Sequence, residues 1–122
     1  MKIFGHPWVE SEPFYPVKTI EDITATPSNS LLEITSLCDD SFGLLKHCQK
    51  NALRYAVHIQ NIKEAILANS LNATFVVCQK ELAKELMPIA QNYLFDTQVI
   101  AVAREEEIEL LARANVDGVK LT

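Results

Sequence analysis

Glycine is scarce in this chain: three residues, Gly5, Gly43 and Gly118, are scattered through 122 positions. The Walker loop and the dinucleotide fingerprint both need clustered glycines to bring backbone N–H groups onto phosphate, so neither device is present. Positive charge is also short. Eleven Lys and Arg against 16 Asp and Glu leave a formal net charge of -5, which argues against the broad basic face that drives nucleic-acid binding. No apolar run approaches the roughly 18 residues of a membrane span, and the opening MKIFGHPWVESEPFYP lacks the unbroken apolar core of a secretory signal. A cytoplasmic protein with neither nucleic acid nor membrane as partner is expected. The three cysteines, Cys38, Cys48 and Cys78, are odd in number and show no CxxC spacing, which suits reduced thiols better than a disulfide frame. Joining them with His47 into a zinc site fits no common ligand spacing, and the adjacent His47 and Cys48 point in different directions on a helix. No metal or other cofactor is expected.

What the chain does hold is apolar content, 48% of residues, enough for one compact domain spanning residues 1–122. From Leu31 onward, short β-rich runs alternate with amphipathic stretches, the mark of a parallel sheet wrapped by helices. Five strands are predicted, over Leu31–Ser36, Arg54–Ile59, Thr74–Cys78, Gln98–Ala103 and Val116–Leu121. Their nearly continuous apolar content suits strands covered on both faces. Helices are predicted from Asp39 or Asp40 to Lys50, over Ile62–Leu71 behind an Asn61 cap, over Lys80–Leu94, and from Arg104 to about Asn115. Apolar faces are expected at Ile62, Ala65, Ile66 and Leu67, at Leu82, Leu86, Ile89 and Tyr93, and at Ile108, Leu111 and Ala112. The fold class is therefore α/β, a three-layer and mostly parallel five-stranded sheet of flavodoxin-like or half-barrel type, with βα repeats over residues 31–122.

Residues 1–30 differ in kind. They hold four of the five prolines and four large aromatics, Phe4, Trp8, Phe14 and Tyr15, too apolar for a free tail and too proline-rich for a regular helix. An ordered N-terminal arm packed on the sheet is predicted, with one helical turn opened by the capping-box pattern Thr19-Ile20-Glu21-Asp22. The last strand finishes as the chain stops at Thr122, so one sheet face is expected to be one helix short. The arm, or a second copy in a homodimer, is expected to cover it. Burial of the four aromatics would contribute on the order of 8 kcal/mol before ordering costs.

Ligands of open α/β sheets bind outside the carboxyl ends of the strands, where loops converge and helix N-termini aim free N–H groups. That rule selects Asp39, Asp40, Asn61, Cys78 and Arg104 as candidate ligand-binding residues. Two charges lie inside apolar strands: Glu33 interrupts LLEITS, and Lys120 interrupts VDGVKLT. A charge in such a place must be paired or shift toward neutrality. Were both side chains on one side of the sheet, Glu33 and Lys120 would form a proton-transfer dyad with a nucleophilic amine, and His58 would join them as a third candidate.

Two resemblances follow. The order LLEITS, RYAVHI, TFVVC, QVIAVA, VDGVKL resembles strands two to six of the 2-keto-3-deoxy-6-phosphogluconate aldolases, class I lyases built as (β/α)8 barrels. The resemblance implies an acid/base role for Glu33 and a Schiff-base role for Lys120; Leu37 stands in the region of that family's substrate-binding arginine, and Cys78-Gln79-Lys80 replaces its Ser-Pro-Gly turn. Asp39-Asp40 and the closing segment VIAVAREEEIELLARANVDGVKLT resemble response-regulator receiver domains, with Cys78 where that family has its phosphoacceptor aspartate. Two functions are expected from different classes. One is a non-catalytic module that binds a small polar ligand or associates with itself or another protein. The other is a lysine-dependent lyase acting on a 2-oxo acid.

Overall fold

A computed structural model describes the backbone of residues 1–122 and every side chain except that of Asp39. The chain forms seven strands and five helices: β1 (Lys2–Phe4), β2 (Phe14–Pro16), α1 (Ile20–Thr24), β3 (Leu31–Ile34), α2 (Phe42–Lys50), β4 (Tyr55–His58), α3 (Ile62–Ser70), β5 (Phe75–Gln79), α4 (Lys80–Asn92), β6 (Gln98–Ala103), α5 (Ile108–Arg113) and β7 (Gly118–Leu121). Single 3-10 turns at Asp39–Ser41 and Glu105–Glu107 lead into α2 and α5. All pairs are parallel, in the order β1-β7-β6-β5-β4-β3-β2.

The sheet thus has seven strands where five were predicted. The additional two come from the arm, which does not lie across the sheet but extends it at both edges, β1 beside β7 and β2 beside β3. Three-residue strands with proline nearby carry almost no periodicity to read. The four-helix expectation for residues 31–122 holds within a few residues, and so do two caps. Thr19 Oγ1 accepts from Asp22 N–H at 3.1 Å while Asp22 accepts from the Thr19 and Lys18 amides, and Asn61 accepts from Glu64 N–H at 2.9 Å, each satisfying helix N–H groups that lack an intrahelical partner.

Four helices end alike. Ala52, Asn72, Leu94 and Asn115 take left-handed φ of 51, 62, 52 and 65°, and the following amide reaches back to close the turn: Leu53 to Cys48, Ala73 to Ala68, Phe95 to Ala90 and Val116 to Leu111. This glycine-type C-terminal motif is built here without glycine.

Side chains alternate between two separate cores. Leu32, Ile34, Tyr55, Val57, Val76, Val99, Ala101 and Val119 pack outward against helix residues such as Leu45, Ala65, Leu86 and Leu111. Phe4, Leu31, Ala56, Phe75, Val77 and Ile100 form the other core, with Phe14 and Val102 against it and no helix residue among them. All helices therefore lie on one face. The three-layer, flavodoxin-like arrangement gives way to a curled half-barrel whose inner face packs on itself. The face expected to lack a helix is filled by this curl, and the six inner residues are at most 6% exposed. Phe4 closes it across the open side, with its ring centroid 5.0 Å from that of Phe14 and 5.7 Å from that of Phe75.

Between the two edge strands, residues 5–13 descend from the carboxyl end of the barrel to the opposite end. His6 Nε2 meets Glu105 at 2.8 Å at the top, and Arg54 grips both oxygens of Glu12 at 2.8 and 2.6 Å at the bottom. The aromatics of the arm are not uniformly buried as expected: Phe4 is buried and Phe14 and Tyr15 half-buried, whereas Trp8 is 89% exposed. The helical apolar faces are narrower than predicted, since on α3 only Ala65 and Ala68 are buried, with Ile66 and Leu67 exposed. On α4 the buried stripe is Ala83, Leu86, Met87 and Ala90, and Tyr93 is exposed; on α5 Ala112 is exposed. Among the described residues no helix is long and apolar enough to cross a membrane.

Candidate active site at the barrel mouth

Strand alternation places Glu33, His58 and Lys120 on the inner face, above the apolar floor. β3 and β7 are separated by three strands, so in a flat sheet they would lie about 19 Å apart, four spacings of about 4.8 Å. Curling brings their side chains into contact. Lys120 Nζ donates to Glu33 Oε2 at 2.8 Å, and His58 Nε2–H donates to the same oxygen at 2.9 Å. His58 reaches Glu33 from two residues beyond its register partner, Ala56, as strand tilt in a barrel permits. Phe14 closes the other side, with Lys120 Nζ 4.5 Å from its ring centroid, inside the range of cation–π attraction.

The electrostatics follow from this geometry. Glu33 is only 8% exposed, and burial alone raises a carboxyl pKa. The hydrogen bonds and charges of Lys120 and His58 more than offset it and hold Glu33 below the ordinary carboxylate range. At rest the pair is carboxylate and ammonium, with the imidazole as a second donor.

Beside this cluster opens a cleft of about 570 Å³ at the carboxyl ends of β3, β4 and β5, with His58 on its wall. That is an ordinary size for a small-molecule site. Val77, Leu82 and Val102 make an apolar floor, and Thr35, Ser36, Gln60 and Gln79 supply hydroxyl and amide groups. The exposed Cys38 stands at the rim. The neighbouring Ser41 hydroxyl and amide, followed by Ser36, whose Oγ donates to Sγ at 3.8 Å, lower its thiol below the ordinary value.

Of the five residues expected to bind ligand, the four whose side chains are described do not converge. Cys78 borders the cleft, but it is turned toward the helix layer and buried, and burial pushes its thiol up to about 12. Asn61 uses its side-chain oxygen to cap α3. Asp40 lines a different depression, with Lys18 and Ser41, and the side chain of Asp39 lies outside the described residues. Arg104 sits with Lys80 and Glu107 in a further depression beyond Gln79 and Val102, its guanidinium 3.8 Å from Glu106 and 4.0 Å from Glu107. By contrast, Glu33, His58 and Lys120 meet at a single oxygen. Phe14 was not foreseen at the site, because its place depends on β2 joining the sheet, and a three-residue strand leaves no pattern. Among the described residues no three His, Cys, Asp or Glu side chains are grouped to hold a metal ion.

The chain matches no protein-family model and no curated protein.

Proposed function

We propose that the protein is a lysine-dependent lyase that acts on a small 2-oxo acid through a Schiff base on Lys120. One observation carries the reading: Glu33 Oε2 receives both Lys120 Nζ and His58 Nε2, at 2.8 and 2.9 Å, beside a cleft open to solvent. A lysine nucleophile needs a neighbour that can take its proton and return it, and Glu33 is in hydrogen-bond contact with the amine. Proton transfer from the ammonium to Glu33 frees the amine to attack the substrate carbonyl carbon. The carbinolamine oxygen leaves as water once reprotonated, so ammonium and carbonyl become iminium and water. The iminium then draws electrons from the breaking carbon–carbon bond, while the hydroxyl on the departing fragment loses its proton to the Glu33–His58 pair and becomes an aldehyde. The resulting enamine regains a proton at carbon, and water releases the 2-oxo acid product and the amine. Phe14 keeps water from one side of Nζ. The resemblance of the strand order to the 2-keto-3-deoxy-6-phosphogluconate aldolases agrees with these roles, and the chemistry is argued from the site.

A second reading, a non-catalytic module for a small polar ligand, is favoured by the ion pair itself, in which Lys120 Nζ is already engaged by Glu33. Borohydride reduction in the presence of pyruvate separates the two. The lyase reading expects a stable adduct whose mass maps to Lys120 and is lost in Lys120→Met. Ligand binding without any adduct across a panel of 2-oxo acids would select the binding module instead.

A further inference from the structure

We infer that the cleft beside His58 is the subsite for an uncharged, hydroxyl-bearing tail of the substrate, and that it disfavours a phosphorylated or otherwise anionic one. This rests on the Schiff-base reading insofar as it takes Lys120 to mark where the carbonyl sits; the cleft then receives whatever the carbonyl carries. Among the described residues its lining contains no lysine or arginine, and its charged groups are Glu64 and, if protonated, His58. The His58 imidazole is committed to Glu33 through Nε2, while the Glu64 carboxylate is fixed in place by accepting the Gln60 main-chain N–H at 2.9 Å. An anionic group entering here would face the Glu64 carboxylate with no lysine or arginine in the wall, so the partial positive charge of the α4 N-terminus at Gln79 would be its one counterpart, less than the paired charge a desolvated anion needs.

The neutral polar groups are well suited to hydroxyls. The side-chain amides of Gln60 and Gln79 engage no protein group among the described residues, so each offers both donors and an acceptor to a ligand. Val77 and Val102 form an apolar floor on which the C–H edges of a polyhydroxylated chain can rest. Cations do occur nearby, but Lys80 is bonded to Glu107, and Arg104 lies against Glu106 and Glu107 in the adjoining depression.

Three probes test this by borohydride trapping, reading the concentration that half-saturates the label on Lys120: pyruvate, a 2-oxo acid extended by three hydroxylated carbons, and the same compound with a terminal phosphate. The expected result is that the neutral tailed probe labels at a concentration at least tenfold lower than pyruvate, and the phosphorylated one at no lower concentration than pyruvate. Gln60→Leu combined with Gln79→Leu brings the ratio of neutral probe to pyruvate toward one, and Glu64→Gln narrows the discrimination against phosphate. A phosphorylated probe that labels as well as the neutral one overturns the inference, and does so most plainly if Arg104→Gln removes its advantage. A tail that confers no gain over pyruvate also overturns it while leaving the lyase reading intact. If no probe labels Lys120, the lyase reading fails. Side-chain amide resonances of Gln60 and Gln79 then decide the subsite: shifts with the neutral tailed acid and none with its phosphate support it, and unmoved resonances overturn it.

Discussion

The two faces of this sheet are built from the same short strands yet solve different problems. The outer face is almost entirely apolar and is covered by helices, and the Tyr55 hydroxyl within it is satisfied by donating to the Leu71 carbonyl at 2.7 Å. The inner face has no helix over it. It is sealed by curvature, with aromatic rings at the floor and three titratable side chains at the mouth. A face that closes on itself brings together residues from distant strands, so it can assemble a polar cluster such as Glu33, His58 and Lys120. The helix-covered face has no need of one.

The inner face depends most heavily on the arm. Deleting residues 1–18 removes β1, β2 and both arm phenylalanines of the inner core, and it is expected to abolish cooperative unfolding or cause aggregation; an unchanged melting temperature with monomeric behaviour would contradict the account. Phe4→Ala, a cavity in the inner floor, is expected to cost about 3–5 kcal/mol in denaturant unfolding, similar to the about 2–5 kcal/mol for Leu86→Ala on the outer face. A markedly smaller loss for Phe4 would mean that the inner face tolerates looseness. Gly118 lies on the inner face opposite Lys2 where β1 pairs with β7, and an added Cβ would sit 2.8 Å from both Ile100 Cδ1 and the Lys2 carbonyl oxygen. Gly118→Ala is therefore expected to cost about 1–3 kcal/mol as overpacking.

Acid sharpens the contrast further. Because Glu33 is held below the ordinary carboxyl range in the folded protein, its contribution to stability is complete above the unfolded value, about 4.3. That contribution is lost as pH falls through the lower folded value. Unfolding measured from pH 7 downward should show a shallower acid decline in Glu33→Gln than in the native sequence, whereas outer-face variants should leave the slope as it is. The smallest expected effect lies outside both cores. Leu94 is 83% exposed and left-handed, a conformation that costs a branched side chain about 1–2 kcal/mol. Leu94→Gly is expected to raise stability by up to about 1 kcal/mol, read from the shift in denaturant midpoint.

Much of this was legible in the residues from Leu31 onward, where strand and helix periods are long enough to be read. Gln98–Ala103 matches β6 residue for residue, and the Asn61 cap is where the asparagine places it. Glu33, His58 and Lys120 stood out because charge or imidazole in an apolar strand requires a partner, and they are one another's partners. The arm was less legible. Proline and aromatic content showed that it is ordered, but β1 and β2 are held by edges of a sheet formed elsewhere in the chain, which local pattern does not record. In the loop-based ligand set Asn61 caps α3 with its side-chain oxygen and Arg104 lies among Glu106 and Glu107, since polar residues after strands also serve helix ends and surface ion pairs.

The meeting of Glu33 and Lys120 across three intervening strands is the point on which both the curl and the site depend. Zero-length carbodiimide coupling of the monomer tests it directly, since an amide forms only between a carboxylate and an amine already in contact. The account expects a cross-linked peptide pair joining Glu33 to Lys120 with the loss of one water, absent in Glu33→Gln. Lys120 coupled only to other carboxylates, or left uncoupled while the half-buried pair of Lys80 and Glu107 reacts, would contradict it.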